Sequence, residues 1–169
     1  MMEKPMQAMR KKRFYPMWLA GLLLALAAGW AQANGFTVVD TTGKTHTLAG
    51  YKGKWVLVNF WATWCPPCQE EIPELIALHG DRKNNLVVIG IALDYRSAKQ
   101  VTDFADSMLV DYPVVLGNAQ IARQIGPIQG LPTTYLYNPD GKLVAQQVGA
   151  ITREAVESFI AKKGGRGGK

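Results

Sequence analysis

The stretch Trp55-Val-Leu-Val-Asn-Phe-Trp-Ala-Thr-Trp-Cys-Pro-Pro-Cys68 joins a strand pattern to a pair of cysteines. Its first seven residues form a nearly continuous run of apolar, mostly β-branched and aromatic side chains, which predicts a strand buried on both faces of a sheet. From Pro66 to His79 the apolar residues recur at helical spacing. A buried strand is therefore predicted to lead through a short turn into a helix, with both cysteines at the junction.

Cys65 and Cys68 are the only cysteines in the chain, and their position suits redox chemistry. The free N–H groups and the dipole at the amino end of a helix stabilise a thiolate, so the pKa of the Cys65 thiol should fall below its usual value of about 8.5 and make Cys65 the nucleophile. Cys68 lies one turn further on the same helix face, where its sulfur can attack a mixed disulfide formed at Cys65. A zinc site would need two further ligands, so neither a metal nor a cofactor is predicted.

The composition excludes several other classes of protein. With 169 residues, 48% of them apolar and 19% charged, the chain has room for one globular domain with a hydrophobic core. Its net charge of +6 is concentrated at the two ends, where residues 1–33 carry five basic residues against one acidic residue and the last eight residues carry four basic ones. Because the body between them is slightly acidic, no nucleic-acid partner is expected.

Residues 1–33 have the three parts of a secretory signal peptide. Arg10–Arg13 are basic, Met17–Trp30 form an uncharged apolar run, and Ala31-Gln-Ala33 matches a cleavage site. The apolar run is shorter than the roughly 20 residues that a membrane-spanning helix needs, which favours a cleaved signal over an uncleaved anchor. The rest of the chain is therefore expected outside the cytosol, in the periplasm or a similar compartment, where a close pair of thiols tends to be oxidised. Contact with a membrane is expected only if the segment stays uncleaved.

Residues 34–163 alternate between strand and helix patterns and form the predicted domain, and residues 164–169 form a flexible basic tail. The patterns predict a three-layer α/β domain whose mixed sheet, parallel in its first half and closed by an antiparallel hairpin, is flanked by helices. His46 is expected to be exposed on the amino-terminal hairpin, and His79 to be hydrogen-bonded at a helix end. Gly80 is expected to stop that helix. Strands are predicted over Phe36–Val39, Thr45–Leu48, Trp55–Trp61, Leu86–Leu93, Pro113–Leu116, Thr133–Tyr137 and Lys142–Val148, and helices over Pro66–His79, Ser97–Met108, Ala119–Ile125 and Thr152–Ile160.

Glu71 and Trp64 are further candidate site residues. Glu71 lies three residues past Cys68 on the same helix face, close enough to move a proton to or from the Cys68 sulfur. The alternative is a solvated surface glutamate. Trp64 would shield the thiolate or offer a flat contact to a partner, and the alternative is that it only packs against the rest of the domain. For Trp61, packing is at least as good an interpretation as a role in the site.

Three motifs together resemble a known fold. Asn59–Cys68, Glu70–Pro73 and Gly130–Thr134 are similar to those of the thioredoxin fold and, within it, of the TlpA/ResA/DsbE group of exported thiol-disulfide oxidoreductases. The resemblance covers about Phe36–Ala161, in which Ser97–Ile125 corresponds to the additional central βα insertion of the group.

The resemblance implies roles for particular residues. Pro132 would be a cis-proline that faces the disulfide and keeps metals off the thiols, and the backbone of Leu131 would pair with a bound substrate peptide. The group carries a glutamate at the position of Glu71, which implies the same proton-transferring role. Asn59 stands where thioredoxin has an aspartate, and because an amide cannot ionise, that position offers no carboxylate for a proton relay.

The expected function is an exported reductase of client protein disulfides. The resemblance implies apocytochrome c as the client and a membrane thiol donor of the DsbD/CcdA type as the source of electrons. An oxidant that donates its disulfide is a second hypothesis, because the direction of exchange follows from the reduction potential. A third is a copper-handling protein of related fold, which is disfavoured because no histidine follows His79. A peroxidase is disfavoured because its site places a threonine before the cysteine in a different loop.

Overall fold

The structure is a computed structural model that describes residues 35–81, 83 and 85–164. The predictions for residues 1–33 and for the tail beyond Gly164 lie outside the described residues. In the described part, no helix is long and apolar enough to cross a membrane. The elements in chain order are β1 (Thr37–Val39), β2 (Thr45–Thr47), a 3₁₀ turn (Ala49–Tyr51), β3 (Trp55–Trp61), α1 (Pro66–Gly80), β4 (Leu86–Ala92), α2 (Ala98–Ser107), β5 (Val114–Leu116), α3 (Ala119–Ile125), β6 (Thr133–Tyr137), β7 (Leu143–Val148) and α4 (Arg153–Gly164).

The main sheet has five strands in the order β5-β4-β3-β6-β7. β3 pairs in parallel with β4, and β4 with β5, whereas β6 and β7 run antiparallel to their neighbours. All seven residues of β3 are buried, as expected for a central strand covered on both faces. The predicted mixed sheet, parallel first and antiparallel at its end, is confirmed.

The two faces of the sheet are covered by different elements, because successive side chains of β3 point to opposite sides. Leu57 faces α1, α2 and α4, and shares its core with residues such as Leu75 on α1. Val56 faces the β1–β2 hairpin and α3, where it packs with Phe36 and Ile125. This arrangement of helices, sheet, and hairpin with helix confirms the three-layer α/β architecture.

All five residues of β6 are buried, because β6 lies between β3 and β7 in the sheet. Several predicted boundaries differ from the structure. α4 continues to Gly164, four residues beyond the predicted end. Gly80 does not stop α1 in a left-handed conformation: it is the last helical residue, and the following Asp81 has a φ of −81°.

The prediction that His46 is exposed is wrong. Its side chain faces the sheet beside its strand partner Val38, and the residue is only 2% exposed. Burial is tolerated because both ring nitrogens have partners: Nε2 lies 2.8 Å from Asp40 Oδ2, and Nδ1 contacts the Tyr51 hydroxyl. His79 is hydrogen-bonded as predicted, with Nδ1 accepting from the Val88 N–H at 3.1 Å.

Candidate active site

The two cysteines lie at the junction between β3 and α1, and they form a disulfide. Cys65 occupies the N-cap position with an extended backbone (φ −90°, ψ 107°), and prolines fill the first two helical positions. Prolines fit there because these N–H groups have no partner within a helix. Cys65 is 3% exposed and Cys68 is fully buried. The predicted position of Cys65 at the amino end of the helix is confirmed, and only Cys65 of the pair keeps any contact with solvent.

Glu71 is fully enclosed one turn beyond Cys68. The residue is 1% exposed, so the interpretation of Glu71 as a solvated surface residue is wrong. Its Oε1 accepts a hydrogen bond from Asn59 Nδ2 at 2.7 Å, and its Oε2 accepts one from the Ile151 N–H at 3.0 Å. Burial raises the pKa of the Glu71 carboxyl to about 7, although these two hydrogen bonds act in the opposite direction. A carboxyl with this pKa can take up and release a proton at neutral pH.

Asn59 is the functional neighbour whose role sequence reasoning missed. The residue is 1% exposed and donates from Nδ2 to both Glu71 and Thr134 Oγ1, the latter at 3.1 Å. A sequence signal did exist: Asn59 is the single polar residue in the seven-residue apolar run of β3. A polar side chain inside a buried strand needs a hydrogen-bond partner, and here that partner is the Glu71 carboxylate, one helical turn beyond Cys68.

Pro132 lies at the same end of the sheet as the cysteines. Thr133, the first residue of β6, pairs with Phe60 near the end of β3. Pro132 comes directly before Thr133, and Cys65 comes shortly after the end of β3, so both lie at this end of the sheet. The Leu131–Pro132 peptide bond is cis, as the resemblance implies. Pro132 is buried, and Leu131 before it is partly exposed.

The two tryptophans that flank the turn have different environments. Trp61 is 1% exposed and its ring lies 5.5 Å from that of Phe104, which confirms its packing role. Trp64 is 57% exposed, and its Nε1 donates to the Asp94 backbone oxygen at 3.2 Å. Trp64 therefore presents an exposed aromatic face, held by a hydrogen bond, directly before Cys65.

In residues 35–81, 83 and 85–164, no group of three or more His, Cys, Asp or Glu side chains is placed to hold a metal ion. The groups that the fold brings together at this junction are the Cys65–Cys68 disulfide, the buried carboxyl of Glu71 and the amide of Asn59. These groups can support thiol–disulfide exchange with local proton transfer.

Comparison with known proteins supports the same chemistry. The AhpC/TSA family matches residues 31–146. The thiol-disulfide oxidoreductase ResA of Bacillus subtilis is 35% identical over 131 residues, which cover 77% of this chain and 73% of ResA. The thioredoxin-like protein YneN of the same organism is 30% identical over 164 residues, covering 85% of this chain and 96% of YneN.

Solved structures share the fold. A thiol:disulfide interchange protein of the thioredoxin family from Chlorobium tepidum superposes with a TM-score of 0.67 at 28% identity, covering 76% of this chain and 92% of that one. The chain belongs to the AhpC/TSA family and is a thiol-disulfide oxidoreductase of the thioredoxin superfamily, similar to ResA and the DsbE-like proteins.

Proposed function

We propose that the protein is an exported reductase that acts on client protein disulfides through the Cys65–Cys68 dithiol. The observation that carries this proposal is the enclosed Glu71 carboxyl, one helical turn from Cys68 and hydrogen-bonded to Asn59 and Ile151. An enclosed carboxyl with a pKa of about 7 provides the buried thiol with a base that solvent does not supply.

The first step is attack on the client at Cys65. The Cys65 thiolate, stabilised by the amino end of α1, attacks one sulfur of the client disulfide. An intermolecular S–S bond forms, the client S–S bond breaks, and the leaving client thiolate takes a proton from solvent. Cys65 is the partner that a client can reach, because Cys68 has no exposed surface.

The second step releases the client. Cys68 transfers its thiol proton to the Glu71 carboxylate and attacks the Cys65 sulfur, so that the internal disulfide forms and the mixed disulfide breaks. The departing client sulfur takes up a proton, and Glu71 returns its own to solvent. Over these two steps the client disulfide gains two electrons and two protons, and the Cys65–Cys68 dithiol is oxidised to a disulfide.

Trp64 and the segment around Pro132 would form the contact surface for the client. The exposed Trp64 ring lies next to Cys65, and the partly exposed Leu131 precedes the cis bond at the same end of the sheet. An aromatic face and a free backbone segment suit an extended peptide. In line with the similarity to ResA, we propose apocytochrome c as the client class and a membrane thiol donor of the DsbD/CcdA type as the reductant.

The decisive experiment measures the reduction potential of the Cys65–Cys68 couple against glutathione or dithiothreitol, with thiol alkylation as the readout. A value near that of thioredoxin, roughly −270 mV, supports a reductase, and a value near that of DsbA, roughly −120 mV, makes the protein an oxidant and removes the cytochrome proposal.

A matched pair of variants tests the order of attack. Cys65→Ser should abolish the reduction of insulin disulfides, and Cys68→Ser should accumulate mixed disulfides with clients because the resolving sulfur is missing. Non-reducing electrophoresis separates the two results. A Cys65→Ser protein that keeps its activity would refute the proposed chemistry.

A further inference from the structure

Three buried polar atoms on the helix-covered face of the sheet have no hydrogen-bond partner among the described residues. They are Asn59 Oδ1, the Trp61 indole Nε1 and the Tyr112 hydroxyl. Their residues are 1%, 1% and 4% exposed. Buried polar groups are seldom left without partners, so three together on one face point to a common ligand.

The three residues meet at one glycine of the sheet: Trp61 and Tyr112 pack over Gly90, and Asn59 is its strand partner. Asn59 on β3 is the register partner of Gly90 on β4, so the two residues face the same side of the sheet. The space above Gly90 is filled by its neighbours: a Cβ at this position would lie 2.8 Å from Tyr112 Cε2 and 3.0 Å from Trp61 Nε1. The absence of a side chain at Gly90 is what lets Tyr112 and Trp61 approach the sheet next to Asn59.

The chemistry of the cluster matches a water molecule. The Trp61 N–H is a donor, Asn59 Oδ1 is an acceptor, and the Tyr112 hydroxyl is both. A single water can accept from Trp61, donate to Asn59 and bond to Tyr112, which gives it the three hydrogen bonds that are usual for buried water. An anion has no cationic partner here, and an apolar ligand would leave all three atoms unpaired.

We propose that Asn59, Trp61 and Tyr112 bind one structural water molecule, and that Tyr112 is thereby a positioning residue for the Glu71 carboxyl. The link is the Asn59 amide, whose Nδ2 donates to Glu71 Oε1 at 2.7 Å. Once Oδ1 is held by the water, the amide is fixed with its N–H groups towards the carboxylate. Thr134 Oγ1 accepts the other Nδ2 hydrogen at 3.1 Å, but without the water Asn59 Oδ1 has no partner. An amide that flips to pair this oxygen with the Thr134 hydroxyl no longer donates to Glu71, and the ionised form of Glu71 loses a donor.

The ionisable groups around the cluster favour this arrangement. Burial, followed by the charges of Glu71 and Asp111, raises the pKa of the Tyr112 hydroxyl, which therefore stays protonated. His79 packs its ring 6.2 Å from that of Tyr112, and the pKa of its imidazole is lowered by burial, so it adds no charge at neutral pH. From the α4 side the Ile151 N–H reaches Glu71, and on α1 the buried neighbour is Cys68.

The test compares two conservative substitutions of buried tyrosines. Tyr112→Phe keeps the ring over Gly90 and removes only the hydroxyl. The matched control is Tyr135→Phe, which removes the hydroxyl of a 1% exposed tyrosine on the opposite face, where it donates to the Pro127 oxygen. The measurement is the pKa of Glu71, followed by carbon-13 NMR of the full chain in its oxidised form, in which neither cysteine titrates.

Tyr112→Phe should raise the pKa of Glu71 by about half a unit or more, roughly a threefold change in proton affinity, because the carboxylate loses part of its hydrogen bonding. Tyr135→Phe should leave that pKa unchanged. Equal pKa values in wild type and Tyr112→Phe would overturn the proposal. Because the readout is a titration of the oxidised protein, it is separate from the proposed reductase function, on which only the consequence for catalysis rests.

A measurement on the unaltered protein keeps the proposal testable if Tyr112→Phe fails to fold. The Trp61 indole proton should show dipolar cross-relaxation with a long-lived internal water, as seen in water-selective NMR experiments. A Trp61 indole proton with no such signal would refute the water site.

Discussion

Glu71 and Asp40 are two carboxylates with almost no exposed surface, and their pKa values move in opposite directions. Glu71 lies beneath the sheet near Cys68, and Asp40 follows β1 at the β5 edge, where its side chain is 6% exposed. Burial raises the pKa of Glu71 to about 7. Burial acts in the same direction on Asp40, but hydrogen bonds from Thr42, His46 and Lys44 outweigh it and hold the pKa of Asp40 well below its usual range.

The difference lies in the number of donors that each carboxylate receives. Glu71 accepts two hydrogen bonds, from Asn59 Nδ2 and the Ile151 N–H. Asp40 accepts four, namely from the Thr42 N–H and hydroxyl, the Lys44 N–H and His46 Nε2, at 2.6–3.0 Å. A carboxylate that accepts as many hydrogen bonds as it would from water stays charged, and one that accepts fewer can titrate near neutral pH. Asp40 is thus suited to holding the hairpin, and Glu71 to moving protons.

The largest expected effect comes from removing the titrating carboxyl. Glu71→Gln should slow the resolution of mixed disulfides by Cys68 by roughly 10²-fold at pH 7, within the usual contribution of a general base. The dependence of that rate on pH around 7 should flatten as well, because glutamine does not ionise. Stopped-flow measurement of client release from pH 5 to 9 gives both quantities.

Asp40→Asn is the matched control for that experiment. It removes a second carboxyl with little exposed surface, at the β5 edge of the sheet and away from the cysteines, so the rate of client release should stay within about twofold of wild type. A pH profile of Glu71→Gln that keeps its inflection near 7 would show that another group moves the proton.

The sequence predicts the parts of this comparison that depend on local spacing. Cys65, Cys68 and Glu71 follow from one strand-to-helix junction and a three-residue helical interval, and the structure places all three there. The environment of Glu71 does not follow from local spacing. Its donor Ile151 is 80 positions away, and Thr134, which holds Asn59, is 75 positions from its partner. Only tertiary packing brings these groups to the carboxyl.

The burial of His46 could not be predicted from the sequence for a related reason. β2 is only three residues long, and its sequence Thr-His-Thr is polar throughout, so no apolar alternation marks the face that packs on the sheet. His46 is buried because Asp40 and Tyr51, six and five positions away, supply partners for both of its ring nitrogens. A polar residue with two such partners can be part of a core that hydrophobicity alone does not predict.

The two carboxylates should also give opposite slopes of stability against pH. Because the pKa of Glu71 is raised in the fold, the native state binds more protons between about pH 4.5 and 7, and its contribution to the free energy of unfolding falls as pH rises through that window. The shift corresponds to roughly 3 kcal/mol. Asp40, with a lowered pKa, contributes stability that is present above the pKa of an unfolded aspartate and is lost as pH falls below it.

Urea unfolding of the oxidised protein across pH 3 to 8 measures these slopes as differences from Glu71→Gln and from Asp40→Asn. The wild type should lose stability relative to Glu71→Gln between pH 5 and 7, and relative to Asp40→Asn only in acid. Parallel curves for wild type and Glu71→Gln would mean that the carboxyl is already ionised at pH 5.

The smallest expected effect sharpens the structural side of the comparison. Tyr51→Phe removes the hydroxyl that contacts His46 Nδ1, in a ring that stacks 6.0 Å from the imidazole. Burial and the charge of Asp40 raise the pKa of Tyr51, so the phenol stays a donor, and His46 then offers its Nε2 proton to Asp40. The substitution leaves a buried nitrogen without its donor and should cost about 1 kcal/mol of unfolding free energy, with no change in the rate of disulfide exchange.

Tyr95→Phe is the matched comparison, because its hydroxyl lies 3.4 Å from the Gly117 oxygen, a distance at which little is lost. If Tyr51→Phe loses no more unfolding free energy than Tyr95→Phe in urea, the His46 imidazole keeps its position without the Tyr51 hydroxyl. The hydrogen bond from Tyr51 would then play no part in lowering the pKa of Asp40.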